Sequence, residues 1–129
     1  MALYCLASDD PPGEQVQMPR TSCPARGDVV WLDFDPQVGH EQAGRRPALV
    51  ISHREYNIKS GLAIVCPMTS KTHKPWPFLV AVGEDSAVIA DQIKCLDWRS
   101  RRAEVKGRLA NDVVERVVAL CCRLIQPVQ

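Results

Sequence analysis

V-G-H-E-Q-A-G-R-R-P-A-L-V-I, residues Val38 to Ile51, is a polar run punctuated by glycine that turns at once into an apolar strand. Gly39 and Gly44 break any periodicity in its first half. Pro47 to Ser52 then reads as a strand with proline at its first position, where a missing N–H donor is tolerated. The junction sets two adjacent arginines, Arg45 and Arg46, at the rim of a sheet. Loops feeding strand ends carry binding residues more often than the strands themselves, so an anionic ligand is expected here.

Reading outward from this stretch gives mostly strands. Upstream, Asp28 to Phe34 (D-V-V-W-L-D-F) is rich in β-formers, with Val30, Leu32 and Phe34 on one face and Val29, Trp31 and Asp33 on the other. Downstream, Tyr56 to Gly61 is polar and expected as a turn, and Leu62 to Met68 is a continuous apolar run, hence a strand buried on both faces. Thr69 to Pro77 is a loop too rich in proline for regular structure. Phe78 to Val82 and Ser86 to Ile89 form a hairpin around Gly83-Glu84-Asp85, with further short strands at Ile93 to Leu96 and Glu104 to Lys106. The last element is a helix. Val114, Val117, Val118, Cys121, Leu124 and Ile125 fall on a single apolar stripe, with Asn111 as the expected N-cap and Pro127 as the stop. The pattern predicts a mainly β fold with a C-terminal α-helix (α+β): a small antiparallel barrel with the helix laid on it.

Bulk properties narrow the function classes. A chain of 129 residues holds one domain. Residues 1–26, with four prolines and little periodicity, read as a flexible N-terminal extension, and residues 27–129 as the domain; Met18 is a candidate start. The net charge of +1 exerts no global pull on a polyanion, so an electrostatic site has to come from local clustering. No signal peptide is apparent and no apolar run approaches the roughly 20 residues of a membrane span, which predicts a soluble cytoplasmic protein. The six cysteines form no C-x-x-C pair and the three histidines are scattered, so no zinc site is expected. Cys66 and Cys95, in apolar runs, read as buried reduced thiols. There is no P-loop, G-x-G-x-x-G, G-x-S-x-G or carboxylate cluster for Mg²⁺, so phosphate chemistry here is expected to need neither metal nor cofactor.

Three groups of residues could carry chemistry. Arg46 is permanently charged and forks onto phosphate oxygens, and His40 and Glu41 on the same loop are candidate acid–base groups, although a solvated loop is the commoner case for each. Thr69, at the end of the apolar strand in Pro67-Met68-Thr69-Ser70, could donate a hydrogen bond to a developing oxyanion, or simply satisfy a turn. Beyond it, Lys71, His73, Lys74 and Trp76 mix positive charge with an aromatic face, the combination by which single-stranded nucleic acid is tracked and stacked. From Lys94 to Arg108, six basic residues stand against two acidic ones.

Taken together, G-D-V-V-W-L-D-F-D-P, G-H-E-Q-A-G-R-R-P-A-L-V-I, V-C-P-M-T-S, W-P-F, A-D-Q-I-K and D-W-R-S-R resemble, in order and spacing, the MazF/PemK (Kid) toxins of bacterial toxin–antitoxin systems. The resemblance runs from Gly27 to Ile125 and implies an SH3-like barrel, a homodimer, and metal-independent, ribosome-independent cleavage of single-stranded RNA at short sequences. It further implies a cognate antitoxin that occupies the RNA site. By motif, the family's catalytic arginine falls on Arg46 and its threonine on Thr69, and the histidine of the PemK branch falls on His40. That branch's Arg-x-Asp is incomplete, because Ile89 stands where the arginine would be while Asp91 is present. Glu41, Gln42, Ser70, Lys71, Trp76, Asp91, Gln92 and Lys94 are the expected RNA-contacting residues, with Glu41 also a candidate base. A related alternative is a toxin of the CcdB kind, which shares the fold and binds DNA gyrase without catalysis.

Overall fold

The apolar run expected as a doubly buried strand is the centre of the fold. The computed structural model describes residues 22–34, 44–72 and 75–127. Within them the elements run β1 (Asp28–Phe34), β2 (Gly44–Val50), α1 (Arg54–Ser60), β3 (Leu62–Thr69), β4 (Leu79–Val82), β5 (Ser86–Ile89), β6 (Lys94–Asp97), β7 (Glu104–Arg108) and α2 (Asn111–Ile125). All strand pairings are antiparallel, in the order β4-β5-β3-β2-β1-β7, with β6 beside β3. β3 pairs with β6 over Leu62 to Val65 and with β5 at Met68 and Thr69. Among the described residues no pairing joins β4 to β7, so the expected barrel is an open antiparallel sheet with a C-terminal helix.

Alternation along the strands divides the core in two. Val30, Leu32 and Phe34 of β1, Ala48 and Val50 of β2, and Ala63 and Val65 of β3 pack with Trp98 and Ala103 on one face. Leu49, Cys66 and Met68 turn to the other, where they meet Val80 and Val88 of the hairpin and Val114, Val117 and Cys121 of α2. A side-chain period of two puts alternate residues of one strand into different cores, which is why β3 had to be apolar throughout. Burial of each large aliphatic side chain contributes about 1.5–3 kcal/mol.

Six local expectations are corrected. β2 starts at Gly44 rather than Pro47, because Gly44, Arg45 and Arg46 pair with Phe34, Asp33 and Leu32 of β1. Pro47 is therefore inside the strand, one residue before the β2–β3 pairing begins at Ala48, so its missing donor can face an open side. Tyr56 to Gly61, expected as a turn, falls largely within α1, which runs from Arg54 to Ser60. Its buried Asn57 donates to the carbonyls of Pro24 (2.9 Å) and Ser52 (3.2 Å) and accepts from Ser52 Oγ (2.6 Å). Gly61, at φ +76°, ends it with an N–H bond to the Asn57 carbonyl, which also accepts from Trp98 Nε1 at 2.9 Å.

In α2 the N-cap is Ala110, while Asn111 is already helical and donates to Glu115 Oε2 at 3.3 Å. The apolar stripe also outlasts its partner surface: Leu124 and Ile125 are 46% and 75% exposed. Finally, Cys95 is exposed: among the described residues β6 pairs with β3 alone, and the thiol lies 3.8 Å from Tyr56 Oη. Residues 22–26, ahead of the expected domain start, pack on the sheet: Pro24 is buried and Cys23 lies against the first core.

Candidate functional site

The register of the two central strands brings the first two candidates together. β2 and β3 pair as Ala48–Pro67, Leu49–Cys66 and Val50–Val65. Extended two rungs beyond Ala48–Pro67, the same register would set Arg46 opposite Thr69, where the two strands no longer pair. A cleft of about 350 Å³ lies at this parting. Trp31 of β1 lines it with Arg45, Arg46 and Pro47 of β2, Met68 and Thr69 of β3, and Ser70 and Ser86.

The two candidates differ in how they are held. Among the described residues Arg46 Nε is buried and has no hydrogen-bond partner. A buried unsatisfied guanidinium N–H costs more than an exposed one, so an anion that meets it is bound the more strongly. Thr69 Oγ1 accepts the N–H of Lys71 at 3.0 Å. That contact uses a lone pair and leaves the hydroxyl proton free to donate. Opposed across a strand parting, a guanidinium and a hydroxyl donor can hold negative charge developing on a phosphoryl oxygen.

Arg45 is committed elsewhere. Its guanidinium meets Asp33 Oδ1 and Glu104 Oε1, each at 3.1 Å, and donates to the Arg102 carbonyl at 2.6 Å. Asp33 in turn takes Arg102 Nε at 2.7 Å. The Arg102 hydrogen bond, then that of Arg45, holds the Asp33 carboxyl below the usual carboxylate range. Expected with Arg46 at the rim of an anion site, Arg45 instead has its charge compensated within the fold.

The remaining candidates do not share this cleft, apart from Ser70. Lys71 is exposed on the connection after β3, and Gln92 is exposed before β6. Lys94 is half-buried opposite Val65. Trp76 donates to Asp91 at 3.0 Å, at the end of β5 away from Ser86. His40, Glu41 and Gln42 lie outside the described residues, as do His73 and Lys74. Sequence reasoning missed Trp31, Met68 and Ser86 as lining residues. For Trp31 the signal was available: an aromatic on the face of β1 away from Leu32, at the rung opposite Pro47. Cys66 and Cys121 lie with sulfurs 3.8 Å apart, and burial pushes both thiols above their ordinary range, which keeps them protonated. Among the described residues no three His, Cys, Asp or Glu side chains gather as a metal site.

Residues 25–125 match the family described as PemK-like, MazF-like toxin of type II toxin-antitoxin system. The chain belongs to this toxin family. Similar proteins include the endoribonuclease toxin MazF of Escherichia coli (strain K12), 41% identical over 99 residues that span 74% of this chain and 88% of that one. The endoribonuclease toxin ChpB of the same strain is 35% identical over 101 residues, or 72% and 86% of the two chains. Among solved structures, MazF from Deinococcus radiodurans superposes with a TM-score of 0.74 at 45% identity, covering 81% of this chain and 98% of that one. A MazE–MazF structure from the same organism gives 0.72 at 44% identity, covering 82% and 98%. The toxin fold of these neighbours is the mostly antiparallel sheet with a C-terminal helix described above.

Proposed function

We propose that this chain is the toxin of a type II toxin–antitoxin pair and an endoribonuclease that cleaves single-stranded RNA in the cleft where β2 and β3 part. Residues 27–129 form its toxin domain, with residues 22–26 packed on its sheet, and the segment ahead of them is an N-terminal extension. The reading is supported by the family match, by relatives named as endoribonucleases, and above all by Arg46 and Thr69 lining one cleft where β2 and β3 part. In the reaction, the 2′-hydroxyl oxygen attacks the adjacent phosphorus and surrenders its proton, and the P–O5′ bond breaks. The leaving oxygen takes up a proton, giving a 2′,3′-cyclic phosphate and a 5′-OH end. Arg46 holds charge on the pentacoordinate phosphorane with its fork, and Thr69 donates its hydroxyl to the same oxygens. The proton acceptor is His40, Glu41 or the substrate itself, and Gln42, Ser70, Lys71, Gln92 and Lys94 contact the RNA. No metal or cofactor takes part in this scheme.

Partners follow from the same reading. The toxin works in the bacterial cytoplasm as a homodimer, and a MazE-like antitoxin silences it by occupying the RNA site, in keeping with the MazE–MazF complexes among its structural neighbours. The runner-up, a CcdB-like gyrase toxin, has no use for a half-buried arginine sharing a cleft with a hydroxyl donor. The test is cleavage of single-stranded RNA in EDTA. Purified protein cuts, and Arg46→Ala or Thr69→Ala abolishes cutting while the fold persists. Unchanged cleavage by Arg46→Ala overturns the site, loss of wild-type cleavage in EDTA overturns the metal-free scheme, and inhibition of gyrase supercoiling without RNA cleavage favours the runner-up.

A further inference from the structure

The indole of Trp76 is held at its edge and bare over much of its surface. It is 51% exposed, yet Nε1 donates to Asp91 Oδ2 at 3.0 Å and the ring meets Phe78 at 5.9 Å between centroids, tilted by 53°. Exposed tryptophans not fixed this way lose rotamer freedom on binding a partner; this one has already lost it. Asp91 is held in the same way. Its Oδ2 accepts from the indole, and its Oδ1 is buried with no partner among the described residues. A carboxylate there would in any case repel a phosphate. Its work is on Trp76.

The location ties this pair to the cleft. Thr69 pairs with Ala87, Leu79 pairs with Ile89, and the Ala90 N–H bonds to the Phe78 carbonyl at 2.8 Å, so the hairpin runs from Ser86 in the cleft to Trp76 and Asp91 at its other end. Ala87 and Asp91 are four residue steps apart, at most about 13 Å of extended chain, with β5 ending at Ile89. We propose that Trp76 is a stacking platform for an unpaired nucleobase of the bound RNA, roughly one hairpin length from the cleaved bond, and that Asp91 is the positioning residue that locks it. With its only hydrogen-bond donor taken by Asp91, the indole reads a π-face and not a base edge, so the platform adds affinity at any base. A π-face without a free donor suits a base better than a peptide backbone, which would need that donor.

This inference rests on the RNA-cleavage reading, and its test is separable from it. A fluorescein-labelled 2′-O-methyl oligoribonucleotide binds without supplying a 2′-hydroxyl nucleophile, so affinity is read with no cleavage. Anisotropy is expected to show binding weaker by roughly tenfold to a hundredfold for Trp76→Ala, with partial recovery in Trp76→Phe. Asp91→Ala is expected to lose several-fold, and Asp91→Asn to recover most of that, because an amide oxygen accepts the same indole N–H. Wild-type affinity in Trp76→Ala overturns the platform and assigns the indole to a protein contact. Equal loss in Asp91→Asn and Asp91→Ala overturns the positioning role, since the negative charge itself would then matter. A wild-type protein that binds this strand but cuts no RNA would sink the cleavage reading and leave the platform standing.

Discussion

Asp33 and Arg45 stand directly across from each other in the β1–β2 register, and their side chains meet at 3.1 Å. Around this pair the end of β1, the start of β2 and the turn before β7 are tied together. Arg102 adds its Nε at 2.7 Å to Asp33 and holds a left-handed φ of +55°, while Arg101 donates to the Asp33 carbonyl at 3.2 Å. A non-glycine residue at positive φ persists where its surroundings enforce it, and here they do. The network keeps Arg45 occupied beside an Arg46 whose Nε has no protein partner among the described residues.

The two adjacent arginines should therefore separate in salt titrations. Arg46→Ala is expected to reduce the slope of log affinity for single-stranded RNA against log salt by about one contact, whereas Arg45→Ala leaves the slope unchanged. Arg45→Ala instead costs about 1 kcal/mol in urea unfolding, because it strips a partly exposed network of one member. Equal slope changes in both variants would mean that Arg45 reaches phosphate after all.

Acid should loosen this corner in a defined direction. Arg102 first, then Arg45, hold the Asp33 carboxyl below the ordinary range in the folded state. A depressed folded-state pKa contributes stability above the unfolded value and loses it as pH falls through the folded value. Wild-type stability is expected to decline through and below the usual carboxylate range, and Asp33→Asn to decline less steeply over the same window. Parallel curves from chemical denaturation at stepped pH would refute the linkage.

Loss of either half of the cleft pair should be kinetic and not structural. Arg46→Ala and Thr69→Ala are each expected to lower kcat by about 10²–10³-fold or more, with kcat/KM falling further for Arg46→Ala, which also loses a phosphate contact in the bound substrate. Thr69→Ser keeps the hydroxyl and should keep most of the activity. Because both groups act on one phosphorane, the double variant should lose less than the product of the single losses. Strict multiplication would argue that they act on separate steps.

Asn57 is the most consequential polar residue of the core. It is fully buried and its side chain bonds to Pro24, to the Ser52 carbonyl and to Ser52 Oγ. Asn57→Ala leaves those partners unsatisfied in the interior, with an expected cost of about 2–4 kcal/mol. Gly61→Ala, at φ +76°, should cost about 1 kcal/mol, with nothing nearby to clash against an added Cβ. Thermal melts or urea midpoints that rank the two in the opposite order would contradict this account.

Legibility followed the physics of each element. β1 and β3 could be read because a half-buried strand alternates and a doubly buried one is apolar throughout. α1 could not: it is a seven-residue helix whose fully buried residue is a polar asparagine, so it shows no apolar stripe. Leu124 and Ile125 belong to the stripe of α2 yet are exposed, because periodicity reports which residues share a face and not how far the opposing surface extends. Cys95 shows the converse error, since an apolar neighbourhood in sequence was an edge strand in space.

The chain's sequence alone determined the strand-rich order, the closing helix, the family, and Arg46 and Thr69 as the residues to watch. Those follow from local patterns: side-chain period, turn residues and motif spacing. Tertiary structure decided that Arg45 is bound while Arg46 Nε has no partner among the described residues, because Asp33, Glu104 and Arg102 reach Arg45 through pairing and a turn distant in sequence. It also decided that Arg46 should oppose Thr69, since strand register is a property of the folded pair and of neither strand alone.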